Sequence, residues 1–315
     1  MDHDLSLLEK CELCPRRCKV NRLKGERGFC GIADKVIIAH YGAHFGEEPP
    51  ITGTQGSGNI FFASCNMRCI YCQNYQISHK NLGKEFSIAE LVELFFSLEK
   101  QGLHNINLVS PSPYVPLIAA ATREAKEKGI GIPFVYNTNA YEHADTIRGL
   151  DGLIDIYLPD FKYWNKHIAK KLSDAKDYPD YAKSSLLEMK RQVGDLFVED
   201  GIAKKGILIR HLVLPNNLAG SKQVLTWIKD NLGRETHISL MSQYYPLHKA
   251  YTYTLLNRKI TEKEYDVLIN RLIEDGFKNV FIQELDSATL FVPDFERTAP
   301  FKQAGSKQWT AQSLE

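Results

Sequence analysis

The chain has 315 residues, of which 43% are hydrophobic and 24% are charged, so it is long enough to bury one large core or two smaller ones. Its 39 basic and 38 acidic side chains nearly cancel, a balance that favours neither a nucleic acid nor a membrane surface as an overall partner. The first ten residues carry acids where a signal peptide needs a basic start, and no apolar run reaches the length of a transmembrane helix, so we expect a cytoplasmic protein.

All seven cysteines lie within the first 72 residues, in two groups with short spacings. Such spacings suit metal ligands better than a disulfide framework in a reducing compartment. We therefore predict four regions along the chain: a cysteine-rich metal-binding segment (1–35), a connector rich in glycine and proline (36–58), a regular domain (59–290) and a polar, loosely held C-terminal tail (291–315).

The regular domain begins with the apolar run NIFFAS, which predicts a buried strand that leads into a loop. The next segment, 87–102, has helical apolar spacing, with Ser87 as its N-cap and Glu90 three residues later. Strand and helix patterns then alternate. Strands are predicted at 106–110, 132–136, 153–159, 206–215, 237–244 and 279–284, and helices at 114–129, 143–149, 173–193, 221–233 and 261–276.

Repeated strand and helix units of this kind imply a parallel sheet that is covered by helices. Six such units suit an α/β fold of the partial (βα)6 TIM-like barrel type, preceded by the cysteine-rich segment. In folds of this type the chemistry lies at the C-terminal ends of the strands. The loops that follow the strands are therefore where we expect the functional residues.

The loop after the first predicted strand reads CNMRCIYCQN and carries Cys65, Cys69 and Cys72. Three thiolates can bind three irons of a four-iron cluster and leave the fourth iron open to a substrate. The spacing of three residues and then two differs from the paired two-residue knuckles of structural zinc. A closed Cys3His zinc site completed by His79 and a set of ordinary buried thiols are the alternatives.

The first cysteine group contains Cys11, Cys14, Cys18 and Cys30, with two, three and eleven residues between them. Four thiolates can close a metal site completely. This suits either structural zinc or an auxiliary iron–sulfur cluster, and the number of ligands does not decide between the two. Ordinary buried thiols are the third possibility.

Six basic side chains lie between these four cysteines, and a solvated face is the default interpretation. We hypothesise that they help to dock an acidic electron donor such as flavodoxin or ferredoxin, because complementary charge speeds encounter. The competing hypotheses are a zinc or iron–sulfur protein that binds nucleic acid, for which one basic loop with few aromatic residues is weak support, and an electron carrier without catalysis. The basic residues are Arg16, Arg17, Lys19, Arg22, Lys24 and Arg27.

The three cysteines of CNMRCIYCQN, with Tyr71 just before the last of them, resemble the motif of the radical S-adenosylmethionine (radical SAM) superfamily. The resemblance implies a [4Fe–4S] cluster whose open iron is chelated by the amino and carboxylate groups of S-adenosylmethionine. It also implies reductive cleavage of that cofactor to methionine and a 5′-deoxyadenosyl radical, which abstracts hydrogen from a substrate.

A closer resemblance, over roughly residues 10 to 250, is to proteins related to pyruvate formate-lyase activating enzyme. It rests on the segments FGEEPPITGTQGSGNIFFASCNMRCIYCQNYQIS, YNTNAYE, LPDFKYWN and LMSQYYP. Activating enzymes of that group make a glycyl radical on a partner protein, so this resemblance implies a protein substrate.

The same resemblance implies further cofactor-binding residues. Asp160 and Lys162 of DFK match an Asp-x-Lys that lies beside the cofactor carboxylate and a small cation in activating enzymes, and the alternative is a solvated surface ion pair. Asn137 and Asn139 of NTN stand where those enzymes carry Asp-Thr-Asn. Because Asn137 replaces the acid, the departure puts a bound cation in doubt.

Many superfamily members have a Gly-Gly-Glu run after the second strand, where this chain has Ser110 and Ser112 in SPSPY. Their hydroxyls are candidate acceptors for the cofactor amine, although the prolines also fit a merely stiff loop. Arg210 lies in an apolar strand, where a guanidinium needs a partner, and it resembles the arginine of the fifth strand in activating enzymes. We predict that Arg210 faces the cofactor rather than forming a structural ion pair, that Gln243 contacts the adenosine, and that His211 packs on the opposite face.

Overall fold

The computed structural model describes residues 5–285, 287, 292–301 and 309–313. In these ranges eleven strands form one sheet. The strands are β1 (Val36–His44), β2 (Ser57–Phe62), β3 (Lys84–Phe86), β4 (Ile106–Val109), β5 (Phe134–Thr138), β6 (Ile156–Pro159), β7 (Phe197–Glu199), β8 (Ile202–Leu212), β9 (His237–Met241), β10 (Asn279–Gln283) and β11 (Trp309–Ser313). The α-helices are α1 (Pro49–Thr52), α2 (Tyr75–Ser78), α3 (Ile88–Lys100), α4 (Val115–Glu127), α5 (Ala144–Arg148), α6 (Lys166–Ser173), α7 (Tyr178–Val193), α8 (Ser221–Leu232) and α9 (Glu262–Glu274).

The central strands of the sheet run parallel in the order β2, β4, β5, β6, β8, β9 and β10. This confirms the predicted α/β fold with a mostly parallel sheet. Every residue of β2, β4, β5 and β6 is buried, as expected of parallel strands that are covered on both faces, and this explains why these strands read as continuous apolar runs. Because neighbouring strands are in register, their C-terminal ends meet along one edge.

Residues 36–44 form β1, so the prediction of a connector is wrong for this stretch. β1 pairs antiparallel with β2, from Ile38 opposite Phe62 to His44 opposite Ser57. Only a few residues of β1 are fully buried, and its apolar run is short. The surrounding glycines and prolines therefore dominated the sequence pattern. The C-terminal half of the predicted connector contains helix α1 and the start of β2.

The C-terminal tail also contains ordered structure. β11 pairs antiparallel with β10, and Phe295 and Phe301 pack against Phe61 of β2 with ring centroids 5.4 and 5.0 Å away. Gln76 of α2 donates a hydrogen bond to Asp294 (3.1 Å) and accepts one from the Phe295 backbone N–H (2.8 Å). The prediction of a loosely held tail is therefore wrong for 292–301 and 309–313, while 291, 302–308, 314 and 315 lie outside the described residues.

Two helix predictions differ in outcome. The N-terminus of α3 has the predicted capping box, in which Ser87 Oγ accepts from the Glu90 N–H (3.2 Å) and Glu90 accepts from the Ser87 N–H (2.8 Å). The helix predicted at 173–193 is instead the end of α6 followed by α7, because Asp174 adopts a left-handed conformation (φ 53°) that ends α6. No helix in the described ranges is long and apolar enough to cross a lipid bilayer.

The cysteine-rich segment packs against the sheet domain, and Leu8, Leu13 and Ile32 belong to the same hydrophobic core. The predicted basic face is smaller than expected. Arg22 is 1% exposed and donates to the carbonyls of Ala33 (2.8 Å) and Pro113 (2.7 Å), and Arg16 is largely covered. The four basic side chains of this segment that remain exposed are Arg17, Lys19, Lys24 and Arg27.

Candidate functional site

The loops at the C-terminal ends of the parallel strands surround a cavity of about 900 Å³, its open mouth included. We name it the strand-end cavity. It collects side chains from the ends of β4, β5, β6, β8 and β9 and from the loop after β2. Of the residues predicted from sequence, it is lined by Cys65, Cys69, Tyr71, Cys72, Ser110, Asn137, Asn139, Asp160, Lys162, Arg210 and Gln243.

The three thiols of the loop after β2 are held by specific hydrogen bonds. Cys65 Sγ accepts from the backbone N–H of Met67 (3.4 Å) and from Asn139 Nδ2 (3.3 Å). Hydrogen bonds to a sulfur favour its thiolate form and, in iron–sulfur proteins, tune the reduction potential. The predicted residue Asn139 therefore contacts the first cysteine directly.

The other two thiols contact hydroxyl groups. Ser173, the last residue of α6, donates to Cys69 Sγ (2.9 Å), and Cys72 Sγ lies 3.2 Å from Ser78 Oγ at the end of α2. These two serines were not predicted from the sequence. Neither belongs to the cysteine motif, and neither lies in a recognisable motif of its own.

The thiols are close enough to affect each other's ionisation. Burial raises the pKa of Cys65 to about 11 and that of Cys72 to about 12, and the neighbouring Cys69 contributes to both shifts. Lys162 acts in the opposite direction on Cys65. Without a bound cation these thiols are protonated at neutral pH, so binding of a metal centre would displace their protons.

A buried network of ions lies beside the thiols. Asp160 accepts from Lys162 Nζ (2.6 Å) and from Arg210 Nε (3.0 Å). Arg210 also donates to Glu47 (3.1 Å) and to Asn137 (2.8 Å). The side chains of Asp160 and Lys162 are only 14% and 17% exposed, so the alternative of a solvated surface pair is wrong. Arg210 both lines the cavity and forms ion pairs, so neither predicted role excludes the other.

The charges in this network stabilise one another. Burial acts to raise the pKa of Asp160, but Lys162 and Arg210 outweigh it and hold that pKa below its ordinary value. Burial acts to lower the pKa of Lys162, but Asp160 and Cys69 raise it above its ordinary value. Lys162 is therefore a fixed cation at the wall of the cavity, next to a thiol.

Sequence reasoning missed the acids that complete this network. Glu47 accepts from Asn59 (2.8 Å) and Asn107 (3.0 Å), which stand opposite each other in β2 and β4. Glu48 is 1% exposed and neither of its carboxylate oxygens has a hydrogen-bond partner among the described residues. Burial raises its pKa to about 7. The signal for both acids was the pair EE before two prolines in GEEPP, together with an asparagine in each of two buried strands.

The two predicted serines separate. Ser110 lines the strand-end cavity in a left-handed conformation (φ 62°). Ser112 does not line it, because the chain enters a 3-10 turn at this residue and the hydroxyl points elsewhere. It donates to Glu142 (2.9 Å) and lies 3.3 Å from Thr138 Oγ1. The expectation that both serines face the cofactor is therefore wrong for Ser112.

Tyr71 and Gln243 both line the cavity wall. The Tyr71 hydroxyl is 2.5 Å from that of Tyr163, which fixes the ring beside the motif. Gln243 follows β9, where its Nε2 donates to Gln73 (3.3 Å) and its Oε1 accepts from Gln283 (2.9 Å).

The histidines do not contribute to this cavity. His79 Nδ1 lies 3.2 Å from His248 Nε2, and neither ring lines the cavity. Within the described ranges, no three Cys, His, Asp or Glu side chains are arranged to hold a single metal ion, so the closed Cys3His site does not form there. His211 is fully buried between the Phe161 carbonyl (2.6 Å) and Ser221 Oγ (2.8 Å), away from the cavity as predicted.

Comparison with known proteins agrees with this arrangement. A profile described as the radical SAM superfamily matches residues 59–202. The chain is 30% identical over 269 residues to the uncharacterized protein MJ0674 of Methanocaldococcus jannaschii, covering 83% of this chain and 73% of that protein. It is 25% identical over 294 residues to the uncharacterized protein MJ0808 of the same organism, covering 87% and 80%.

A solved structure similar to this one is that of the FeFe-hydrogenase maturase HydG from Carboxydothermus hydrogenoformans, with 14% identity and a TM-score of 0.48. The similarity covers 70% of this chain and half (50%) of that chain. The profile match includes β2, the loop with the three cysteines, and the strands that place the other cavity residues. The chain belongs to the radical SAM superfamily.

Proposed function

We propose that Cys65, Cys69 and Cys72 hold the [4Fe–4S] cluster that membership of the superfamily implies, and that S-adenosylmethionine binds beside it in the strand-end cavity. The observation that carries this proposal is that all three thiols open onto one cavity. Three thiolates that leave one side open fit a four-iron cluster. Such a cluster does not require the thiols to converge on one ion, an arrangement that is absent from the described residues. When bound, the reduced cluster supplies the electron that cleaves S-adenosylmethionine to methionine and a 5′-deoxyadenosyl radical.

The cavity residues have complementary roles in binding the cofactor. Lys162 offers a fixed positive charge to a carboxylate, and Asp160 holds that ammonium in place. Ser110 and Asn137, which also line the cavity, offer oxygen acceptors for an ammonium group. Gln243 offers an amide for the polar edge of an adenine. Asn139 positions the Cys65 sulfur through its hydrogen bond.

Part of the remaining wall of the cavity is apolar. Val109, Leu212 and Met241 line it at the ends of β4, β8 and β9. An apolar wall limits the access of water and of unwanted hydrogen donors to the reacting atoms. These residues thus support a hydrogen abstraction that is directed at one substrate.

The experiment that tests this function is anaerobic reconstitution with iron and sulfide, reduction with dithionite, addition of S-adenosylmethionine and quantification of 5′-deoxyadenosine. We expect Cys65→Ala, Cys69→Ala and Cys72→Ala each to abolish the product. Retention of 5′-deoxyadenosine formation by any of these variants would contradict the proposed ligand set.

A matched pair of lysine variants tests the cofactor pocket. Lys162→Met should weaken the binding of S-adenosylmethionine, measured by the change in the electron paramagnetic resonance (EPR) spectrum of the reduced cluster on titration. Lys128→Met is the control, because Lys128 is 53% exposed and its salt bridge among the described residues is to Glu124 of α4. Equal affinities in the two variants would remove Lys162 from the proposed site.

For the hydrogen donor we propose a glycine of a partner protein, which the resemblance to activating enzymes supports. For the electron donor we propose an acidic carrier such as flavodoxin or ferredoxin, which the exposed residues Arg17, Lys19, Lys24 and Arg27 support. The first is tested with a glycine peptide deuterated at Cα, whose deuterium should appear in 5′-deoxyadenosine. Product without deuterium would oppose glycine as the donor. The second requires turnover with flavodoxin to slow as ionic strength rises, and turnover independent of salt would oppose it.

A further inference from the structure

A second cavity, of about 390 Å³ with its open mouth included, lies under the N-terminal segment, and the proposed function makes no use of it. We name it the N-terminal cavity. Its wall includes all four cysteines of the first group, Cys11, Cys14, Cys18 and Cys30, and none of the four is in a disulfide. The question is why one small space collects four free thiols.

The backbone is shaped to bring the first three thiols together. The Cys11 N–H donates to the Val20 carbonyl and the Lys19 N–H donates to the Cys11 carbonyl, both at 2.9 Å, so the chain from 11 to 20 doubles back on itself. Arg17 and Lys19 adopt left-handed conformations, with φ of 43° and 59°, on either side of Cys18. Two such residues in a short loop are costly, and a bound group that needs this loop shape would repay the strain.

The fourth cysteine comes from a segment that presses against Cys18. A Cβ on Gly28 would lie 2.7 Å from Cys18 Cβ and Sγ, so only glycine fits there. The next backbone N–H, that of Phe29, donates to Cys18 Sγ (3.3 Å), and Cys30 follows directly. A backbone N–H aimed at sulfur stabilises the charge of a thiolate.

Two buried guanidinium groups face the same cavity. Arg22 and Arg16 line it, and Nη2 of each is buried without a hydrogen-bond partner among the described residues. Arg22 is 1% exposed. A buried cation with a free donor calls for an anion nearby, and four thiolates around a metal centre carry a net negative charge. The thiols and arginines are therefore complementary once a metal is bound.

We propose that Cys11, Cys14, Cys18 and Cys30 hold a [4Fe–4S] cluster. A cluster is favoured over one zinc ion because no three ligand side chains in the described ranges are arranged around a single-ion position, while the thiols do surround a space. Four cysteines ligate all four irons, so this cluster has no open iron for a substrate.

The two thiol groups are joined by one residue. Asn66 lines the N-terminal cavity, and its Oδ1 accepts from Asn139 Nδ2 (2.9 Å), the same amide that donates to Cys65 Sγ (3.3 Å). Cys14 lines the same N-terminal cavity as Asn66, and Cys65 Sγ lies 3.9 Å from Asn66 Oδ1. Asn66 therefore contacts the Cys65 thiol while it lines the cavity of the first cysteine group, and the two metal centres would be close enough for their unpaired spins to interact. This closeness, unlike the N-terminal cluster itself, rests on the proposed function of Cys65.

The test uses the full chain, reconstituted anaerobically, with iron, sulfide and zinc counted per chain. We expect about eight irons in the wild type and about four in the Cys65→Ala, Cys69→Ala, Cys72→Ala variant. That variant should still give an EPR signal after dithionite reduction. A wild type with about four irons together with a triple variant that has none would overturn the N-terminal cluster, as would zinc in its place, and neither result counts against the catalytic cysteines.

A reciprocal variant guards against misfolding of the triple variant. Cys11→Ala, Cys14→Ala, Cys18→Ala and Cys30→Ala together should lose about four irons and keep the other four, with circular dichroism checking the fold. Interaction between the clusters should make the EPR spectrum of the reduced wild type differ from the sum of the two variants' spectra. A wild-type spectrum equal to that sum would refute the closeness through Asn66. Loss of no iron in the reciprocal variant would refute the N-terminal site.

Discussion

Replacement of Arg210 by methionine should destabilise the chain strongly. The side chain of Arg210 is 16% exposed, and its partners Glu47 and Asp160 are 9% and 14% exposed. Asp160 keeps Lys162 at 2.6 Å, and Glu47 keeps two asparagine donors, but the pocket loses one positive charge among acids shielded from water. Removal of one partner from a buried ion pair typically costs about 3–5 kcal/mol, and we expect Arg210→Met to lie in that range.

The assay is urea unfolding without cofactors, followed by circular dichroism and by tryptophan fluorescence. Arg258→Met is the matched control, because Arg258 forms a two-pronged pair with Glu264 at 2.8 Å but is 40% exposed. Its loss should cost at most about 1 kcal/mol. Adding Glu47→Gln to Arg210→Met should recover part of the stability, since one uncompensated charge is removed. Equal losses for the two arginine variants would refute this reasoning about burial.

Three further changes test other features by the same unfolding assay. Ser87→Ala removes the N-cap of α3 and should cost about 1 kcal/mol, and no measurable loss would contradict the capping box as a stabilising contact. Gly206→Ala would place a Cβ 2.3 Å from the Asp195 carbonyl oxygen at φ 120° and should cost at least about 2 kcal/mol. Gly233→Ala, at φ 90° in open space, should cost less than Gly206→Ala, and the reverse order would show that backbone strain outweighs the steric clash. Burial lowers the pKa of His211 from 6.5 to about 4, so the unfolded chain takes up a proton that the folded chain does not, and stability should fall by up to about 3 kcal/mol as pH drops from 6.5 to 4. His211→Gln should flatten this part of the pH dependence, and an unchanged slope would contradict the assignment.

The parallel strands could be predicted because their local pattern is strong. β4 and β5 are buried on both faces, so each appears as an apolar run between polar turns. β1 and β11 were missed because both pair antiparallel outside the parallel part of the sheet, where partner strands rather than local composition determine the structure. A continuous run of buried apolar residues can be recognised in a single sequence, but the antiparallel pairing of β1 and β11 cannot.

The residues of the candidate site also differ in how far the sequence predicts them. The cysteines of the loop after β2 are adjacent in sequence, so their spacing alone suggested a shared metal centre. Glu47 has no such signal, since its partners Asn59, Asn107 and Arg210 lie 12, 60 and 163 residues away. Ser112 was predicted to face the cavity but does not line it. Two residues separate it from β4, and the turn that begins at Ser112 directs its hydroxyl away from the cavity.

The segment 292–301 follows β10 in the chain and packs on β2 through Phe295 and Phe301, and β10 and β2 are the two outer strands of the parallel part of the sheet. Neighbouring strands of the sheet are held together by ladders of backbone hydrogen bonds. The contact of segment 292–301 with β2 and α2, which we call the seam, is instead made by aromatic rings and by the Gln76 amide. Separation of the seam would expose Phe61 and leave every strand ladder described above intact. This contact can therefore separate without breaking a strand ladder, and it lies on β2, the strand that leads into the cysteine loop.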